Sequence, residues 1–593
     1  MRLRDYLICS IMLLLAVGFM IISGGRLDYI HAQRKQMNLV INEPLENAPP
    51  SLAFATVALG AFRGLIVDIL WLRADRLKEQ GQFFEAKQLA EWIGTLQPRF
   101  GAVWSFQAWN MAYNISVAIP ASQPEQRWRW VKNGYELLRD RGIHLNPGDI
   151  GLYRELAWIF LHKIGGITDD AHEYYKLQLA KDMQLLLGSA DREFFDALVA
   201  APQNWSQVIK DEDVARFVNA LKSVDTIFED ERNFVSNYLA LRQNPSKFKP
   251  ETFRVIDDFR GTPAISKFDI FAKAYQLRNV WKLEPAMMLE LNNRFGPADM
   301  TDPNIRLPLE WRHPAVHAMY WAIRGLEVNR RTAVDADEAN TDRIISHALQ
   351  DLYRSGKIFI YRQAPQDRID DRSPGMAETI YLRPDLRMFD SYNEWQLSLI
   401  EKYTDRPGTY DSMKLAHRNM MQNAVLAFYQ AGYREKALQI YNELRKNYLR
   451  DEFRVDLASF VRNRFREEVQ SLTLNDAREI IQLMLRESYF RYALHDDDEA
   501  YVQEKTAEDV YRLYMSTVQG EEHRLGMPEF SMLRYLAVID FLQDYTYPES
   551  LRNSLRARIR HERPQLSELL EKQEEIFIQR LQQEQQRQQP LRP

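Results

Sequence analysis

The chain has 593 residues, of which 46% are hydrophobic and 27% charged, so it holds ample material for packed cores. Its 77 basic and 82 acidic residues give a net charge of -5, which argues against a nucleic-acid-binding protein, because that class normally carries a basic face. The only cysteine, Cys9, excludes an intrachain disulfide framework and a cysteine-based zinc site.

The first predicted element is a transmembrane helix. Residues 6–25, YLICSIMLLLAVGFMIISGG, carry no charge and match the roughly 20 residues that span a bilayer. A signal peptide usually has a shorter apolar core of about 7–15 residues, so we predict an uncleaved anchor, with a cleaved signal sequence as the alternative. Arg2 and Arg4 favour a cytoplasmic N-terminus, which places the bulk of the chain on the periplasmic side of a bacterial inner membrane.

A second apolar run, residues 51–72, is interrupted by Arg63 and Asp68. Because charges at membrane depth are costly, we predict a buried or interfacial helix here. If this run did cross the membrane, the body of the protein would return to the cytoplasm. After it, apolar residues recur at three- and four-residue spacing almost to the end of the chain, which predicts helix throughout, with KIFIYR and ETIYLRP as the strand-like exceptions.

The helical part contains a recurring unit. In GQFFEAKQLAEWIGTLQPRF a turn glycine is followed by an apolar helix that stops at a proline, since proline cannot continue the hydrogen-bond ladder. A glycine supplies the backbone angles of the turn, and small residues let paired helices approach closely. The residues predicted to define successive units are Ala74, Gly81, Ala86, Pro98, Trp104, Ala108, Pro147, Tyr153, Ala157, Gly432 and Ala437.

These residues resemble the pattern of tetratricopeptide repeat (TPR) proteins over about 67–183 and again over about 418–450. The stretches FRGLIVDILWLRADRLKEQG, FQAWNMAYNIS and HPAVHAMYWAIRGLE are also similar to a group of N-terminally membrane-anchored, TPR-like proteins of planctomycete-type bacteria. The resemblance implies an all-α fold in which the transmembrane helix is followed by an α-solenoid of TPR-like helical hairpins with irregular helical insertions.

The predicted organisation follows from these boundaries. It comprises an anchor or signal sequence over 1–25, a linker over 26–50, TPR-like repeats over 51–183, a helical middle region over 184–309, a helical region over 310–470 with the further unit at about 418–450, C-terminal helices over 471–565, and a helical, then Gln-rich tail over 566–593.

The candidate binding residues come from the same repeat register. In a TPR array, certain positions of the first helix of each hairpin (helix A) line a concave groove. Aromatic side chains and arginines supply much of the binding energy at protein interfaces, and an arginine can hold a carboxylate in a bidentate way. The register assigns to this groove Trp71, Trp109, Tyr113, Arg154, Trp158 and His162.

Other charged or histidine-containing patterns are interpreted as structural. His313 and His317 share a helical face, but Pro314 replaces the glutamate of an HExxH motif and no third ligand follows. HDDDEAY, DREFFDAL and EDERNF are interpreted as solvated helix starts or faces, and GGITDD as a turn between helices. The sequence contains no GxSxG, P-loop or Rossmann pattern, so we expect no catalytic site, metal or cofactor.

The sequence therefore predicts a non-enzymatic, membrane-anchored scaffold. It would bind an unidentified protein or peptide partner in the groove of the solenoid and contact the membrane through residues 6–25, without nucleic acid or a small-molecule cofactor. Two alternatives stay open. One is an envelope enzyme on an α-superhelical body that acts on cell-wall glycan, and the other is an obligate subunit of an envelope secretion or transport complex.

Overall fold

The computed structural model describes residues 63–188, 190–299, 302, 305–328, 335–362, 378–431, 433–470, 474–517, 527–544, 547–568 and 570–572, together with Met12, Tyr29 and Gln33. The predicted anchor therefore lies outside the described residues, apart from Met12. Within the part that is described, no helix combines the length and the apolar character needed to cross a bilayer.

The fold is mainly helical, as the periodicity predicts. The helices of the first part of the chain are α1 (Arg63–Glu79), α2 (Phe83–Leu96), α3 (Gly101–Trp109), α4 (Pro124–Leu137), α5 (Ile150–Trp158), α6 (His172–Leu187), α7 (Arg192–Ala200), α8 (Trp205–Val208), α9 (Glu212–Val224), α10 (Glu231–Ala240), α11 (Pro250–Asp258), α12 (Pro263–Gln276) and α13 (Pro285–Phe295). π-Helical turns extend α3, α4, α5 and α12 over Asn110–Ile115, Leu138–Gly142, Ile159–Ile164 and Leu277–Trp281.

The remaining helices continue in the same manner. They are α14 (Pro314–Val328), α15 (Asp335–Ser355), α16 (Phe389–Lys402), α17 (Pro407–Gln430), α18 (Arg434–Asn447), α19 (Leu457–Gln470), α20 (Leu474–Ala493), α21 (Asp497–Thr517), α22 (Phe530–Gln543) and α23 (Glu549–Glu562). The C-terminal helices α20 to α23 bury their own apolar core, which includes Ile481, Leu485, Phe490 and Phe541.

The two strand-like runs of the sequence form one small sheet. Strands β1 (Lys357–Arg362) and β2 (Glu378–Arg383) pair antiparallel, with Lys357 opposite Arg383. Ile358 and Ile380 of the sheet are buried against α6. Alternate residues of a strand point to opposite faces, so these apolar side chains share the face that packs on the helix.

The described residues fall into two compact units. Unit 1 takes those up to Leu156 together with Glu327 and Val328, and unit 2 takes the remainder. Most of the repeat-defining positions lie in unit 1, and the small sheet lies in unit 2.

Candidate functional site

The helices that carry the site in unit 1 pack around Trp104 on α3. Its ring is 3% exposed, and its indole Nε1 donates a hydrogen bond to the carbonyl of Pro98 (2.8 Å). A Cβ added at Gly94 of α2 or at Gly142 after α4 would approach Trp104 to 3.2 Å. Glycines at these two places therefore let both helices close on the tryptophan, and Pro98 ends α2 where the indole can reach its carbonyl.

The same local arrangement recurs in the next repeat of the sequence, which also lies in unit 1. Pro147 lies 49 positions after Pro98 (147 minus 98), and the hydroxyl of Tyr153 donates to the carbonyl of Pro147 at 3.1 Å. Tyr153 follows Trp104 by the same offset, and each aromatic residue lies six positions after its proline. The two copies thus share a proline stop and an aromatic residue that is hydrogen-bonded to it.

The small residues predicted to define the repeats lie in the core or in a tight turn. Ala74, Ala86, Ala108, Ala157 and Ala437 are all fully buried. Gly81 lies in the turn between α1 and α2 with φ +75°, a left-handed conformation that glycine adopts without steric cost. Gly432 lies outside the described residues.

Two candidate binding residues, Trp109 and Tyr113, form one stacked aromatic pair in unit 1, in which Trp109 is exposed and Tyr113 is half-buried. They are four residues apart at the junction of α3 with its π-helical turn, and their rings stack with centroids 4.0 Å apart. Trp109 is 39% exposed, whereas Trp104 of the same helix is buried. The buried side chain of Asn110 donates to the carbonyl of Phe83 (2.8 Å), which holds this junction against the start of α2.

Trp71 on α1 belongs to a second aromatic group in unit 1. Its ring centroid lies 5.4 Å from that of Phe100 and 5.1 Å from that of Phe106, in tilted geometry. Lys78 lies over the outer part of this group, 5.4 Å from the centroid of Phe106. Trp71 is half-buried, so part of its ring faces solvent.

The charged members of the site are Arg154 and its neighbour Glu155 on α5, both half-buried. Burial raises the pKa of Glu155, and the positive charge of Arg154 partly offsets that effect. Burial, helped by the charge of Glu155, also raises the pKa of the Tyr113 hydroxyl, so this tyrosine stays neutral. Glu155 therefore lies in the electrostatic surroundings of Tyr113, within the same unit.

The last two candidates, Trp158 and His162, form an equivalent pair in unit 2. Their rings stack with centroids 4.8 Å apart and an angle of 9° between planes. Trp158 and His162 follow Trp109 and Tyr113 by the same 49-residue offset, and each pair lies where a helix passes into a π-helical turn. Burial and the neighbouring Lys163 lower the pKa of His162, so its ring is neutral at pH 7 and stacks as a neutral aromatic group.

The segment that follows His162 is fixed by a buried ion pair. Lys163 Nζ lies 2.5 Å from Asp169 Oδ2, and the side chains are 4% and 3% exposed. The other oxygen of Asp169 accepts hydrogen bonds from the amide of Ala171 (2.9 Å) and the hydroxyl of Tyr175 (3.2 Å). This carboxylate thus organises the GGITDD turn before α6.

The structure also shows aromatic contacts outside the candidate groove that the repeat register did not predict. Phe84 of α2 is 58% exposed and packs edge-on against Trp130 of α4, with centroids 5.6 Å apart. Phe106 completes the group around Trp71. These aromatic residues are visible in the sequence, but the repeat register assigns only helix-A positions to the groove. It therefore does not include Phe84 and Trp130.

The histidines at the start of α14, His313 just before the helix and His317 within it, make structural contacts. His313 and His317 are 2% and 1% exposed. His313 Nδ1 accepts from the amide of Ala315 (3.1 Å), and His317 Nε2 lies 2.9 Å from the carbonyl of Trp311. Burial lowers the pKa of His313 to about 3, so the ring is uncharged. The described residues include no cluster of three or more His, Cys, Asp or Glu side chains that could hold a metal ion.

The acidic motifs serve as helix caps and ion-pair partners. Asp191 of DREFFDAL accepts from the amide of Phe194 (2.8 Å) at the start of α7, and Asp230 of EDERNF accepts from the amide of Arg232 (3.1 Å) at the start of α10. In HDDDEAY, Asp497 begins α21 and pairs with Arg558.

A cavity of about 290 Å³ in unit 2 holds two arginine–carboxylate pairs. Arg312 pairs with Glu310, and Arg387 donates to both oxygens of Asp385 at 2.8 and 2.7 Å. Each of these two guanidinium groups is thus matched to a carboxylate two residues away.

Comparisons with family models and with curated proteins found no match to this chain.

Proposed function

We propose that the chain is a membrane-anchored, TPR-like scaffold that binds a partner protein through exposed aromatic residues of its helix-A positions. The observation that carries this proposal is the exposed ring of Trp109, which stacks on the half-buried Tyr113. Large rigid aromatic side chains contribute strongly to protein interfaces, and a pair that is already stacked loses little side-chain freedom on binding. Arg154, which precedes Glu155 on α5, suits a carboxylate of the partner.

The solenoid part of the proposal is supported by recurrence. The proline stop, the aromatic hydrogen bond to its carbonyl and the stacked pair in the π-helical turn all repeat with one 49-residue offset. Repeated hairpins that bury small residues between their helices are typical of solenoid proteins, which bind partners along extended surfaces. Residues 6–25 supply the proposed anchor, with the body of the chain on the periplasmic side.

The binding surface can be tested by affinity capture of the tagged full-length protein from mild detergent, followed by mass spectrometry. We expect the double variant Trp109→Ala/Arg154→Ala to lose at least 90% of the captured partner, since removing an aromatic and an arginine anchor costs about 2 kcal/mol or more each. The variant should keep its fold, because Trp109 is already 39% exposed.

The matched control is Arg129→Ala/Trp130→Ala, which removes one arginine and one tryptophan from α4 of the same unit. Arg129 is exposed and Trp130 is half-buried. This control should retain the partner. If both double variants release it equally, or neither does, the Trp109 surface is not the binding site.

The sidedness of the chain gives a second prediction. In a bacterial host, alkaline phosphatase fused to the C-terminus should be active, because this enzyme needs disulfides that form in the periplasm. Removal of residues 1–25 should abolish that activity and release the protein from the membrane fraction. An inactive fusion to the full-length chain, present at the same level, would place the body in the cytoplasm.

A further inference from the structure

A cavity of about 430 Å³ lies within unit 2, between α10, α11 and α12. Its volume falls in the roughly 300–1,000 Å³ range of small-molecule pockets. Most of its wall is apolar, and the side chains that form that part are Leu185, Leu239, Leu241, Phe253, Ile256 and Ile265. Such a wall favours a ligand with a hydrocarbon body.

The cavity is part of the packed structure of these helices. Behind it, Phe268 of α12 is fully buried and meets Tyr238 of α10 edge to face, with centroids 4.9 Å apart. On the side of the α11–α12 turn, Gly261 adopts φ +75°, and Thr262 Oγ1 donates to the carbonyl of Phe259 (2.7 Å). The core thus fixes one wall, and a hydrogen-bonded turn fixes another.

The polar groups of the cavity carry an excess of positive charge. Asp269 is already satisfied, because Lys273 Nζ lies 2.7 Å from one oxygen and the hydroxyl of Tyr238 donates to the other at 3.3 Å. Arg242 is 72% exposed and lies 4.0 Å from Asp269, at the limit of an ion pair. Arg260 also lines the cavity and bonds Asp257 outside it.

We propose that this cavity binds the anion of a medium-chain fatty acid. The hydrocarbon chain would occupy the apolar wall, and the carboxylate would pair with Arg242. A carboxylate suits an arginine geometrically, and the Asp269–Lys273 pair disfavours a cationic headgroup, because the lysine already neutralises the only lining carboxylate. The proposal concerns a small-molecule site and does not depend on the scaffold function.

The test uses a diazirine-bearing decanoic acid and the purified full-length protein. After irradiation, mass spectrometry should place the label in residues 238–266, and unlabelled decanoate should compete with it. Decanol, which has the same chain without the charge, should compete about fivefold less well, the ratio that the loss of one exposed ion pair can give. A label spread over the chain, or equal competition by decanol, would overturn the proposal.

Two charge-reversal variants distinguish decanoate binding in this cavity from nonspecific attraction of the anion to the protein. Arg242→Glu should weaken decanoate competition about tenfold or more. Arg216→Glu, on α9, is the matched control, since Arg216 is 74% exposed and does not line the cavity. Ile256→Trp, which places a larger side chain in the cavity, should also abolish labelling of residues 238–266. Equal decanoate binding by Arg242→Glu and Arg216→Glu would show that Arg242 does not hold the headgroup.

Discussion

Replacing Trp104 by alanine should lower the free energy of unfolding of unit 1 by about 3–5 kcal/mol, the usual cost of removing a large buried aromatic side chain. The ring packs on Gly94 of α2, its Cβ lies against Gly142 after α4, and its indole Nε1 donates to the carbonyl of Pro98. Alanine would leave a cavity that neither helix can close, since each is held by further buried residues. Native-state hydrogen exchange in the full-length chain, followed on the amides of α2 and α3, measures this effect.

Trp109→Ala is the control for this prediction, because it removes the same side chain from the same helix. Trp109 is 39% exposed, so its removal should cost about 1 kcal/mol or less, mainly through the lost stack on Tyr113. We therefore expect Trp104→Ala to weaken the fold and Trp109→Ala to weaken only partner binding. Equal loss of protection in the two variants would mean that Trp109 supports the fold and would remove the argument for its role in binding.

The parts of the fold that depend on local rules could be predicted from the sequence. Helix follows from apolar spacing along the chain, and the KIFIYR and ETIYLRP runs form β1 and β2 because their alternation suits a sheet with one buried face. The turn at Gly81 is also local, since a glycine between two helical patterns readily takes the positive φ of +75° found there.

Other features depend on residues that are distant in the sequence. The cavity next to Arg242 needs Leu185 of α6 together with α10, α11 and α12, and no periodicity signals that these helices leave a space. The π-helical turns at Asn110–Ile115 and Ile159–Ile164 are equally hidden, because one extra residue per turn is too small a change for an apolar pattern to show.

The candidate site is intermediate between these cases. The repeat register distinguishes Trp104 from Trp109 by position, and the structure buries the first and leaves the second 39% exposed. The register could not predict that Trp109 stacks on Tyr113 and Trp158 on His162, since that depends on the side-chain rotamers and on the π-helical turn. Nor could it predict the ion pair that follows His162 directly.

Replacing Lys163 by methionine should destabilise the turn before α6 by about 3–5 kcal/mol, the usual cost of breaking a buried ion pair on one side. Methionine keeps most of the length of the side chain but removes the positive charge that lies 2.5 Å from Oδ2 of Asp169, whose side chain is 3% exposed. In the variant, burial without the charge of Lys163 should raise the pKa of Asp169 above its ordinary value. The stability of the variant is then lost as the pH rises through that raised pKa. The loss of stability caused by Lys163→Met should accordingly be larger at pH 8 than at pH 5. Hydrogen exchange of the α6 amides measures it.

The double variant Lys163→Met/Asp169→Asn separates the cost of an unpaired charge from the loss of packing. Asparagine can still accept from the amide of Ala171 and the hydroxyl of Tyr175, which Asp169 now engages, but it carries no charge. We expect it to recover most of the lost protection and to show no extra loss of protection at pH 8 relative to pH 5, since replacing both members of a buried pair is often nearly neutral. If the double variant is as unstable as Lys163→Met, the lysine acts through packing of its stem.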